Sequence, residues 1–108
     1  MTPPLDRRFE LRRPANSRVA VLAPGMELSG LITDESSGGL RLRLERSAAL
    51  PKTILVVDVA AGQAIEATVA WQKGVEAGLK RSGAHSLRGL VPGRLTQARD
   101  VWRRLGGR

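Results

Sequence analysis

Between residues 18 and 81 the chain is a succession of short apolar segments. Most of them carry the two-residue period of β-strands and are closed by Gly, Pro or Ser before they reach helical length. The clearest is Leu40–Leu44, with Leu40, Leu42 and Leu44 on one face and Arg41 and Arg43 on the other. Thr53–Val59 is β-branched and apolar almost throughout, the pattern of a buried strand. Arg18–Leu22, Met26–Thr33, Ala64–Lys73 and Val75–Arg81 complete a set of six, spaced at roughly ten residues. Ala23-Pro24-Gly25, Ala60–Gln63 and Gly74 read as turns, and Asp34–Gly39 as a polar connection. Ser47–Pro51 breaks the pattern, and Ser82–Pro92 reads as a loop or a short extra strand. From Arg94 to Leu105 the period changes: Leu95, Ala98, Val101, Trp102 and Leu105 form one helical stripe, ended by Gly106 and Gly107. The expected fold is therefore mainly β, a six-stranded antiparallel barrel with a C-terminal helix packed on it.

Charge divides the chain differently. Residues 1–18 carry five arginines against two acids, residues 19–78 five bases against seven acids, and residues 79–108 eight bases against one acid. A near-neutral body thus lies between two basic ends, which calls for an anionic partner. Pro3, Pro4, Pro14 and Asn16 leave residues 1–17 without periodicity, so they are expected to be a flexible basic arm. Residues 18–92 are the expected barrel, and residues 93–108 the amphipathic helix.

Two segments carry candidate chemistry. Arg7, Arg8 and Arg12 form RRxxxR on the arm. Guanidiniums are planar, permanently charged and bidentate toward phosphate oxygens, and they stack on flat bases. Residues 34–39, DESSGG, form DxSxxG. Asp34 can accept a pair of hydrogen bonds from a guanine N–H edge, Ser36 can donate or accept beside it, and Gly38 and Gly39 allow close approach. Each segment alone has a plain alternative: a solvated charge run, or an ordinary turn. In this order and spacing they suit a ligand carrying both phosphates and a guanine edge.

The pair resembles the PilZ domain, a bacterial sensor of cyclic di-GMP. The resemblance extends over roughly residues 6–81: an alternating strand follows the second motif at Leu40–Leu44, a later strand ends in Val69-Ala70-Trp71, and Gly78 follows. Where the family often has a Phe after that glycine this chain has Leu79-Lys80, a departure bearing on barrel-end packing rather than on ligand contacts. The resemblance implies a six-stranded barrel of PilZ type. It further implies that Arg8 and Arg12 grip phosphate and stack on guanine, with Arg7 as the extra preceding arginine. Asp34, Ser36 and Gly39 would bind the guanine edge.

The expected function is a cytoplasmic, non-enzymatic receptor. It binds cyclic di-GMP, changes arm conformation and signals to a partner protein, with no other cofactor. The alternatives are a small basic barrel that binds nucleic acid, and an adaptor of the same fold that binds only protein. Nucleic acid is disfavoured because Phe9, Trp71 and Trp102 are the only aromatics, and single-strand binding on barrels relies on aromatic platforms. Both tryptophans read as core anchors. A triad of Ser36, His85 and Asp34 would take two members from one turn, and a lone histidine without cysteines makes a zinc site a poor expectation. No apolar run approaches the roughly 20 residues of a membrane helix.

Overall fold

A computed structural model describes residues 13–107, with side chains from Ser17 onward. Six strands form a closed antiparallel barrel: β1 (Arg13–Ala23), β2 (Met26–Glu35), β3 (Gly39–Leu44), β4 (Thr53–Asp58), β5 (Gln63–Lys73) and β6 (Glu76–Ser86). Their order around the barrel is β1-β2-β3-β6-β5-β4, and β4 pairs back onto β1. A single 3₁₀ turn at Gly93–Leu95 leads into α1 (Thr96–Arg104).

Strand alternation builds two cores. Leu40, Leu42 and Leu44 point inward with Val19, Val21 and Val56, filling the barrel, while Arg41 and Arg43 stay outside. The opposite faces of β1 and β4 put Ala20, Leu22 and Val57 under the 3₁₀ turn and α1, which cover them with Leu95 from the turn and Ala98, Val101 and Trp102 from the helix. β4 is covered on both faces, and this is why its sequence shows no alternation. Trp102, 2% exposed, also donates its indole N–H to the Val59 carbonyl at 2.9 Å. Leu79 is 4% exposed within the barrel core, so the departure at Leu79-Lys80 leaves the barrel end packed.

Ion pairs tie the helix down at its rim. Arg104 bonds Glu27 at 2.7 Å, and Arg94 bonds Glu66 at 2.7 Å. The Arg94 hydrogen bond holds the Glu66 carboxyl below the usual carboxylate range, with His85 Nε2 at 3.2 Å adding to the effect.

Three boundaries differ from expectation. β1 starts at Arg13, five residues before Arg18, because a bulge between Pro14 and Ser17 accommodates residues that otherwise break a strand. β2 runs on through Asp34 and Glu35, and β6 runs on to Ser86. Arg13–Ser17 of the expected arm thus belong to the barrel; Arg7, Arg8 and Arg12 lie outside the described residues.

Candidate ligand-binding cleft

Four cross-strand pairings run in one row across the sheet. Pro14 of β1 pairs with Asp34 of β2, Asp34 with Arg41 of β3, Arg41 with Gly78 of β6, and Gly78 with Trp71 of β5. Residues directly opposite one another share a face. Arg41 is exposed, so this row lies on the outside of the barrel. It presents a carboxylate, a guanidinium, a gap and an indole, with strands about 4.8 Å apart.

The gap has a physical reason. A Cβ on Gly78 would fall 2.0 Å from Trp71 Nε1, so only glycine lets the indole lie across β6. The ring reaches toward Arg41, whose Cζ sits 5.6 Å from its centroid, within cation–π range. Trp71 is 42% exposed and is not a core anchor. The strand period would send it inward with Ala67 and Val69, but a bulge between Val69 and Trp71 moves it to the outer face.

Beside this row lies the β2–β3 turn. The Ser36 N–H donates to the Gly39 carbonyl at 3.0 Å, closing it. Asp34, Glu35, Ser36, Gly39, Arg41, Trp71 and Gly78 line a cleft of about 230 Å³. That is below the roughly 300–1,000 Å³ of pockets that enclose a drug-sized ligand, so the cleft suits one flat group with the rest of a ligand outside it. Gly38 is not part of the lining; its carbonyl accepts from the Arg81 N–H at 3.1 Å.

The two glycines of the turn differ in necessity. A Cβ on Gly39 would meet the Leu79 carbonyl oxygen at 2.8 Å, whereas nothing lies within 4 Å of one on Gly38. Gly39→Ala should therefore lower stability by about 1–3 kcal/mol, the scale of overpacking, and Gly38→Ala should leave the thermal melt nearly unchanged. Equal melts for the two variants would contradict this geometry.

The arrangement offers a carboxylate, a hydroxyl, a guanidinium and an indole with which to bind and orient a ligand. Ser36 has no histidine beside it in the cleft, because His85 Nε2 lies against Glu66 and Arg94, at 3.2 and 3.3 Å. Among the described residues no group of three or more His, Cys, Asp or Glu side chains could hold a metal ion. No helix among them is long and apolar enough to cross a membrane.

The structure brings Asp34, Ser36 and Gly39 of the sequence motif together in one cleft, and adds Arg41 and Trp71, which the sequence reading did not place there. Arg41 was visible as an outward residue of β3, but its neighbours across the sheet depend on register. For the arm, the described residues end at Arg13, whose cross-strand partner is Glu35. The chain next to Arg12 is thus at the strand end that carries Asp34.

A PilZ domain family model matches residues 6–89, most of the chain and both motifs. Comparisons with curated proteins and with solved structures found no match.

Proposed function

We propose that this chain, which belongs to the PilZ domain family, is a receptor for cyclic di-GMP. One guanine sits in the cleft, its N–H edge on the Asp34 carboxylate and Ser36 beside it. Gly39 leaves the backbone open to the base. Arg41 and Trp71 offer a flat cationic and aromatic wall. Arg8 and Arg12, with Arg7, reach the phosphates and close over the ligand from the β1 side. Ligand binding changes the conformation of the arm, and a partner protein reads the resulting surface.

The observation that supports this most is the row Asp34–Arg41–Gly78–Trp71 beside Ser36 and Gly39: an acceptor for a base edge and a stacking surface within one base-sized cleft. Calorimetric titration with cyclic di-GMP tests the proposal. It should show saturable binding at concentrations of tens of micromolar, whereas a mixed oligonucleotide should give only weak, salt-sensitive heats. Absence of binding by cyclic di-GMP in that range would sink the proposal.

A further inference from the structure

Glu35 follows Asp34 directly, so strand alternation sends it to the opposite side of the sheet. Its cross-strand partner is Leu40, a core residue 5% exposed, so Glu35 turns toward the end of the barrel, at the edge of the cleft that it helps to line. There it meets Arg81: Nη2 lies 2.7 Å from Oε2, with the side chains 26% and 12% exposed. Arg81 continues the inward series of Ala77 and Leu79 on β6. Its backbone amide donates to the Gly38 carbonyl at 3.1 Å. One residue thus grips the β2–β3 turn at both ends, by a carboxylate where the chain enters and a carbonyl where it leaves.

This grip carries a cost. Arg81 Nε is buried with no hydrogen-bond partner among the described residues. An apolar side chain would close the barrel end without an orphaned donor and without burying an ion pair. What arginine adds here is hold on the turn.

We propose that Arg81 is a positioning residue for the ligand-binding turn. Through Glu35 and Gly38 it fixes the direction from which Asp34 and Ser36 face the cleft. It thereby sets affinity for the guanine edge without touching the ligand. This inference rests on the cleft being the cyclic di-GMP site.

The test is calorimetry with cyclic di-GMP on wild type, Arg81→Met, Glu35→Ala, the double variant and Arg81→Lys, with amide hydrogen exchange at Ser36 in parallel. Arg81→Met and Glu35→Ala should each weaken binding about tenfold, the worth of one charge-assisted hydrogen bond. The double variant should bind no worse than the weaker single one, since both remove the same bond. Arg81→Lys, which keeps the charge, should recover part of the loss. The Ser36 amide should exchange faster in Arg81→Met while β4 amides do not. A general loss of structure would instead speed exchange everywhere.

Single variants binding within twofold of wild type, or losses that add in the double, would overturn the proposal. If wild type itself does not bind, the reading of the cleft fails. Exchange at Ser36 then decides alone: faster exchange in Arg81→Met sustains the hold on the turn, and unchanged exchange refutes it.

Discussion

Asp34→Ala should weaken cyclic di-GMP binding by about 1.5–3 kcal/mol, or roughly ten- to over a hundredfold in Kd, with a smaller effect on the thermal melt. The magnitude is that of a carboxylate accepting hydrogen bonds from a base edge in a partly enclosed site. The melt should move less than the affinity because Asp34 lies on the outer face, at the end of β2, and belongs to neither apolar core. Arg8→Ala and Arg12→Ala should each weaken binding on the same scale, through phosphate rather than base contacts. Calorimetry on the variants, with melts as controls, checks the set. If Asp34→Ala binds like wild type, the guanine edge is read elsewhere. If Arg12→Ala does so, the arm does not close over the ligand.

Trp102→Ala costs about 3–5 kcal/mol of stability, the range for removing a buried aromatic. Trp102 is 2% exposed and is the largest side chain between α1 and the barrel. Its loss empties the centre of the outer core and leaves the Val59 carbonyl without its indole donor. α1 has nine residues, too short to persist as an isolated helix, so it depends on this docking. Denaturant unfolding followed by circular dichroism measures the loss. A change below about 1 kcal/mol would mean that α1 contributes little to the fold. The same variant leaves the cleft residues in place, so affinity for cyclic di-GMP should change far less than stability.

What the sequence made legible follows a physical division. β3 and the helical stripe were read correctly because each buries one face against one core, and burial on one side produces a clean period. β4 was legible for the opposite reason, an unbroken apolar run covered on both sides. What stayed hidden were the irregularities. The bulge between Pro14 and Ser17 makes room in a strand for residues that normally end one. The bulge between Val69 and Trp71 turns a tryptophan from the expected core to the cleft wall. A bulge leaves no mark in hydrophobic pattern, since it is a single extra residue whose effect appears only in pairing.

The same division holds at the site. Asp34, Ser36 and Gly39 stood out in the sequence because their residue types fit one chemistry at one spacing, and the structure brings them to one cleft. The turn-like composition of residues 34–39 concealed that Asp34 and Glu35 are still strand, which is what sends them to opposite faces. Trp71 and Arg81 are remote in sequence from Asp34–Gly39 and join the turn only through register and barrel closure, whereas Arg41, two residues past Gly39, meets Asp34 through the β2–β3 pairing.

Cyclic di-GMP is proposed to bind in the cleft beside the β2–β3 turn. The two tryptophan indoles make it directly measurable, one in the cleft wall and one beneath α1. In a nitrogen–proton correlation titration with cyclic di-GMP, the Trp71 indole signal and the amides of Ser36, Gly39 and Gly78 should shift and saturate together, while the Trp102 indole stays in place. No saturable shift, or shifts confined to Trp102 and the exposed face of α1, would contradict the account.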